Sequence, residues 1–366
     1  MKDTDAATLD ASVWWPILSP HWLRSRGPSK TPRREPEKDR AVEATILRLL
    51  RGLTFSGLTA LEFPLSERPS GVPDISQRVE TIEEALWLAD RADDPQAGRL
   101  LRRWAEARRA GRDFQSSALM GADLKNQDEA GKLLSRVPSL WLEYDLRRQT
   151  RPAPLLCLRL PPDCGDLEPW VDAAFVSRPD DGWRKTFGRC LEALPLGSRP
   201  LYLFDLGARE PGLLRLEIFG IPVEEVAAYL SRIGCPVPAH MEMATTCFSE
   251  TERPHVSFDI SPQGVLSDRV GLEVSFQRLP SRESGWHRLF ERLCAQGLCR
   301  HEAAEVFFAW QGQDRPRTAG ELWPSHPRLK RGHLVRVGSH VKLVLSAGKP
   351  PRAKGYILFQ YLSPTS

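Results

Sequence analysis

The chain has 366 residues, of which 27% are charged and 41% hydrophobic, with a formal net charge of +4. This is globular composition, long enough for one large core or two ordinary ones. Much of the positive excess sits between Arg24 and Arg40, which argues against a general nucleic-acid footprint, and no apolar run reaches the roughly 18 to 20 residues of a membrane span.

Residues 1–40 read as an N-terminal arm. An aromatic cluster (Trp14, Trp15, Trp22) precedes the basic, proline-rich stretch SRGPSKTPRREPEKDR. Such a segment cannot close a core alone, so it is either a disordered tail or an arm packed on the body. Residues 41–366 then form one domain, mainly helical over 41–137. Ala41 to Leu53 is an amphipathic helix, and Leu58 to Leu65 is a candidate strand in which Leu61, Phe63 and Leu65 alternate with Glu62. Val79 to Arg112 reads as a helical hairpin.

Beyond Pro138 strand pairs alternate with helices. The pairs are Leu140 to Leu146 with Leu155 to Leu160, Leu201 to Leu206 with Leu213 to Phe219, His255 to Ser261 with Val270 to Phe276, and Ser339 to Leu345 with Ala353 to Phe359. The last pair is read around a turn containing Gly348, Pro350 and Pro351. Helical patterns fill the gaps over Glu168 to Leu194, Val223 to Ile233, Trp286 to Ala295 and Glu302 to Trp310. In the second of these Pro222 is set at the start and Gly234 at the stop. Antiparallel hairpins separated by helices predict an α+β fold, an antiparallel sheet with helices on one side, and closure into a barrel removes its open edges.

Side chains alternate across a strand, so parity sorts them into two faces. Leu142, Leu158, Leu216, Val256, Phe258, Leu272, Val274, Leu343 and Leu345 form the apolar face. The other face carries Trp141, Glu143, Asp145, Arg159, Arg215, Glu217, His255, Ser257, Asp259, Glu273, Ser275, His340, Lys342, Lys354 and Tyr356. The LYLFDL strand is ambiguous, since Asp205 shares parity with Leu201 and Leu203. A solvated open face would give the same alternation; Trp and Tyr on the polar face favour an enclosed lumen. In a lumen, Arg and Lys neutralise phosphate oxygens, aromatic faces shield a cationic carbon, and a desolvated carboxylate can act as a base.

Strand pairs around a charged lumen resemble the ABBA prenyltransferases, whose barrel of ten antiparallel strands is ringed by helices. The closing segment KPPRAKGYILF, Lys349 to Phe359, is similar to the last strand of that superfamily, where a Lys-x-Tyr pattern, here Lys354 and Tyr356, faces the diphosphate. The SHVKLVL strand is similar to the preceding one, with Lys342 inward, and the cyanobactin-type enzymes that prenylate ribosomal peptides are the nearest branch. The resemblance covers Pro138 to Leu362 in topology and the last pair in motif.

It implies alkyl transfer from a prenyl diphosphate to a peptide side chain or an aromatic small molecule. Arg159, Arg215, Lys342 and Lys354 would hold the diphosphate. Tyr356, Trp141, His255 and His340 would line the lumen and shield the carbocation, and Glu143 or Glu217 would orient the acceptor and take its proton. On this face acids are about as numerous as bases, whereas a diphosphate pocket is expected to be net positive unless magnesium bridges carboxylate and phosphate. Asp145 and Asp259 are the magnesium candidates; no other cofactor is called for. The alternative is a noncatalytic barrel that binds a peptide or ligand, accessory to natural-product assembly.

The remaining motifs are bland. Seven scattered cysteines lack CxxC spacing and fit reduced thiols of a cytoplasmic protein, and Asp3 and Asp5 stand where a signal peptide wants basic charge. His255, His333 and His340 lack the short spacing of a local metal triad. No GxxxxGK[ST], GxGxxG or GxSxG occurs, which disfavours nucleotide and serine-hydrolase chemistry.

Overall fold

A computed structural model of the chain describes residues 10–24, 43–47, 50–51, 53–54, 57–67, 73–117, 129–145, 153–175, 182–249, 253–325, 329 and 331–363. The basic stretch after Arg24, the side chain of Trp22, Leu146 and part of the Ala41 to Leu53 segment lie outside them. The strands are β1 (Thr59–Pro64), β2 (Asp74–Val79), β3 (Leu140–Tyr144), β4 (Leu155–Arg159), β5 (Arg199–Asp205) and β6 (Leu214–Phe219). They continue with β7 (His255–Ile260), β8 (Leu266–Val274), β9 (Gly312–Asp314), β10 (His333–Ser346) and β11 (Lys349–Leu362).

Every strand runs antiparallel to its neighbours. The order β1 to β8, β10, β11 returns to β1 through the β11–β1 pairing, so among the described residues ten strands close a barrel, as the sequence led us to expect. Three-residue β9 continues alongside the early part of β10. Helices alternate with the hairpins, from Ile82–Ala89 and Pro95–Ser117 after β2 to Ser284–Ala295 and His301–Ala309 after β8.

Local sequence sets the boundaries. Thr81 caps the Ile82 helix: its hydroxyl accepts from Glu84 N at 3.1 Å while the Glu84 carboxylate accepts from Thr81 N at 3.3 Å. The helix Val226–Arg232 stops at Gly234, whose φ of +72° suits a residue without Cβ. Its start lies later than the sequence suggested, because Pro222 precedes a 3₁₀ turn at Val223–Glu225.

The core lies between barrel and helices. Leu142, Leu158, Leu216, Val256, Leu272 and Leu343 point outward and are buried against Trp104, Trp170, Trp183 and Trp286 of the helical layer. Burying side chains of this size contributes about 1.5 to 3 kcal/mol each. Trp14 and Trp15 of the N-terminal arm also pack on this body: Trp14 stacks on Tyr361 with centroids 5.2 Å apart, Trp15 is 4% exposed, and Ala11 N donates to Leu53 O at 2.9 Å.

Two sequence expectations fail in detail. Val79 ends a strand rather than starting a helix, so β1 gains β2 as a partner that the helical reading had concealed. Pro350 and Pro351 lie inside β11, not in its turn. They are tolerated because β11 pairs with β1 only from Lys354 onward, and the register with β10 shifts between Val344 and Ser346.

Candidate active site

The inward face encloses a cavity of about 300 Å³. Trp141, Glu143, Arg215, Glu217, His255, Glu273, His340, Lys342, Lys354 and Tyr356 line it, all on the parity read from sequence. Arg159 shares that parity and pairs with Tyr202 of β5, but lies outside the cavity wall at the far end of β4. Asp145 stands beyond the end of β3, and Asp259 borders a small side pocket with Arg215, Ser257 and Arg269. The ambiguous β5 turns Tyr202 and Phe204 inward. Its Asp205 is buried on the outer side, accepting from Gln96 Nε2 at 2.6 Å and Gly207 N at 2.7 Å.

Most lumen charges are paired across adjacent strands. Lys354 of β11 and the Tyr356 hydroxyl both hold Glu62 of β1. Burial alone would raise the Glu62 carboxyl, yet the Lys354 ammonium keeps it well below the usual carboxylate range. Lys342 holds Glu273, its register partner on β8, which is lowered to about 2 against burial by Lys342 and His340. Arg215 grips Asp259 of β7 with both Nε (2.6 Å) and Nη2 (3.1 Å). Arg209, on the loop after β5, reaches Glu143 at 3.1 Å and Asp145 at 3.4 Å.

The barrel end reached by the C-termini of β3, β5 and β7 is cationic. Arg209, Arg215 and Arg269 meet there, with exposed Arg352 at the start of β11. Arg269 is more than half buried and its guanidinium has no hydrogen bond or ion pair among the described residues. Burial, and then the neighbouring charges of Arg215, Arg209 and Arg352, press it below the usual guanidinium range, with Asp259 opposing. Arg209 Nε is likewise buried with no partner. The cavity wall carries six bases (Arg78, Arg209, Arg215, Arg269, Lys342, Lys354) against four acids (Glu62, Glu143, Glu217, Glu273). This corrects the near balance counted on the strands; Asp145 and Asp259, the remaining acids, stand outside that wall.

The opposite part of the lumen is aromatic and titratable. Tyr202 and Trp141 form one wall, continuous with Phe204, which lies under the Arg215 guanidinium at 5.9 Å, and His340 stacks on Tyr356 with centroids 3.9 Å apart. His255 Nδ1 lies 2.9 Å from Glu217 Oε1. Burial and then the charge of Glu273 raise Glu217, whereas Glu217 raises His255 against the effect of burial.

As for metals, Asp145 and Asp259 do not fit the magnesium role expected of them, since arginines already neutralise both. Among the described residues Glu217, His255 and Glu273 bring donor atoms within 4.8 Å of one another, but Glu217 already engages His255 Nδ1 at 2.9 Å, so the trio reads as a hydrogen-bonded network rather than a metal site. There the Lys342 ammonium already supplies positive charge to Glu273.

Sequence reasoning missed Glu62 as a lumen residue although it lay in the candidate strand, and missed Ser76 and Arg78 with β2. Arg209 sits on a loop and Arg269 precedes the part of β8 that alternates cleanly, so parity did not reach them.

No family model and no curated protein matches the chain. Among solved structures it is similar to 5-dimethylallyltryptophan synthase from Streptomyces coelicolor, at 14% identity over 96% of this chain and 97% of that one, with a TM-score of 0.45. It is also similar to the apo form of the prenyltransferase PriB (14% identity, 95% of each chain, TM-score 0.49). A third is NotF in complex with brevianamide F and DMSPP (12% identity, 95% of this chain and 94% of that one, TM-score 0.43). At such identities and scores these likenesses carry no activity or residue role to this chain.

Proposed function

We propose that this chain is a prenyltransferase of the ABBA type, which moves an isoprenyl group from a prenyl diphosphate to an aromatic acceptor, free or borne by a peptide. The observation that carries the proposal is the cationic end of the lumen, where, among the described residues, the Arg269 guanidinium makes no hydrogen bond or ion pair and Arg209 Nε is buried and unpaired. An unpaired buried donor such as Arg209 Nε is costly, and diphosphate oxygens would satisfy it and the Arg269 guanidinium with charge-assisted hydrogen bonds. The Lys-x-Tyr pair on β11 and Lys342 on β10 extend the cationic wall inward, although both lysines hold glutamates until an anion competes for them.

The chemistry follows from the order of groups along the lumen. The donor C–O bond breaks with its electron pair leaving on the diphosphate, where the arginines stabilise the developing charge. The allylic cation then lies against Tyr202, Phe204, Trp141 and Tyr356, whose π faces are negative and whose bulk excludes water. An aromatic acceptor captures it and loses a proton. A cavity of about 300 Å³ is at the small end for ligand sites, which favours a five-carbon donor and one ring at a time.

Calorimetric titration with dimethylallyl diphosphate tests this reading. It predicts one site per chain and an affinity that weakens as salt rises. No binding would overturn the donor assignment and favour a noncatalytic barrel.

A further inference from the structure

Three of the four glutamates on the cavity wall are held by a permanent cation: Glu62 by Lys354, Glu143 by Arg209 and Glu273 by Lys342. The lysines leave Glu62 and Glu273 little basicity, and Arg209 occupies Glu143. Glu217 differs. Its hydrogen-bond partner among the described residues is an imidazole, His255 Nδ1 at 2.9 Å, and its side chain is only 3% exposed. A carboxylate on Nδ1–H fixes the tautomer and leaves the Nε2 lone pair outward. His255 Nε2 has no hydrogen-bond partner among the described residues, and His255 lines the cavity with Phe219 edge-on to its ring at 5.3 Å.

The other lumen imidazole is committed elsewhere. His340 is stacked on Tyr356, with Nδ1 3.0 Å from Ser339 Oγ and Nε2 3.6 Å from Glu273 Oε2. Burial pushes it down to about 4, which makes it a weak base. Position also separates the tasks. His255 is four residues before Asp259 on β7, so it lies about 13 Å along the strand from the arginine end. That interval leaves room for a short prenyl chain and an aromatic ring between them.

Resting on the prenyl-transfer reading, we infer that His255 Nε2 takes the proton from the aromatic acceptor, with Glu217 as its positioning residue. The acceptor's electron pair forms the new bond to the allylic carbon, and its C–H or N–H proton passes to Nε2. The resulting imidazolium is stabilised by the Glu217 carboxylate, and the diphosphate has already left with its electron pair. The groups that set the proton affinity of His255 are Glu217 on β6, Glu273 on β8, and Lys342 and His340 on β10. The neutral imidazole is the active form, so turnover falls as pH drops through the raised pKa of His255.

The experiment compares wild type with H255Q, E217Q and E217D. It measures dimethylallyl diphosphate binding by calorimetry, and the ratio of alkylated indole or phenol to dimethylallyl alcohol across pH. H255Q should bind the donor as wild type does, lose about 10²- to 10⁴-fold in alkylated product, and divert the remaining turnover to the alcohol. E217Q should move the acid limb of the pH profile to lower pH, because the charge that raises His255 is gone, and E217D should restore it. Wild-type product ratio and pH limb in H255Q would overturn the assignment. Wild-type protein that binds no donor would instead overturn the functional reading on which it rests.

Discussion

Arg215 was expected to hold a diphosphate, but the structure gives it a second occupation whose removal has a calculable cost. Its side chain is 7% exposed and that of Asp259 10%, with two hydrogen bonds of 2.6 and 3.1 Å between them. Replacing Arg215 by Met preserves length and removes the charge, leaving a buried carboxylate without its bidentate partner. Breaking a buried pair from one side costs about 3 to 5 kcal/mol, a large share of the ~5 to 15 kcal/mol that holds a domain together. Urea denaturation followed by tryptophan fluorescence should show R215M displaced by this amount at neutral pH. The double variant R215M/D259L, in which no charge is stranded, should recover most of it. Asp259 is depressed in the folded state, against burial, by Arg215, so the pair's contribution is present above about 3.8 and lost as pH falls. The gap between wild type and R215M should therefore close in acid. A loss below about 1 kcal/mol, as for an exposed ion pair, would refute the claim that Arg215 braces the barrel.

Arg269 should behave oppositely: R269M should leave the urea midpoint no lower, and raise it to the extent that burial and the neighbouring arginines disfavour the guanidinium, while weakening dimethylallyl diphosphate by roughly 10- to 150-fold, the equivalent of about 1.5 to 3 kcal/mol for a hydrogen bond to a charged group. Unchanged affinity by calorimetry would remove Arg269 from the donor site. For the barrel as a whole, Glu62 and Asp259 both have depressed folded pKa values, so their stabilisation is complete above about 4.5 and is lost progressively as pH drops below it; a melting temperature flat from pH 6 to pH 3 would contradict this, those two pH values being roughly the bounds of the window. Trp14 is fully buried against Tyr361 and Trp323. Its replacement by Ala should cost about 3 to 5 kcal/mol, whereas a mere tail would show no change in thermal unfolding.

Much of the architecture was legible because hairpins and lumen parity are both local patterns. A strand such as HVSFDIS displays its two faces within six residues, and the closed barrel places those faces as the alternation demands. What escaped has physical reasons. β2 (DISQRV) has only Ile75 and Val79 as apolar residues, and its outward Gln77 is buried through hydrogen bonds to the Thr54 backbone and Thr59 rather than by packing. The LYLFDL strand stayed ambiguous because an acid, Asp205, shares parity with Leu201 and Leu203; Gln96 and Gly207 satisfy it on the outer side. Arg209 and Arg269 could not be read from alternation, since one lies on a loop and the other follows exposed Asp268. The pairing of charges was also invisible: Glu62 and Lys354 are nearly three hundred positions apart and meet only because the barrel closes between β1 and β11.

Acceptor-dependent turnover is the most direct test of prenyl transfer in this lumen. Purified protein is incubated with dimethylallyl diphosphate and a panel of indoles, phenols and aromatic peptides, and diphosphate release is followed beside mass analysis of the acceptors. Release should rise with a particular aromatic acceptor, be matched by one alkylated product and be abolished when Lys342 and Lys354 are both replaced by Ala. Release that no acceptor stimulates, or that persists in the double variant, would contradict it.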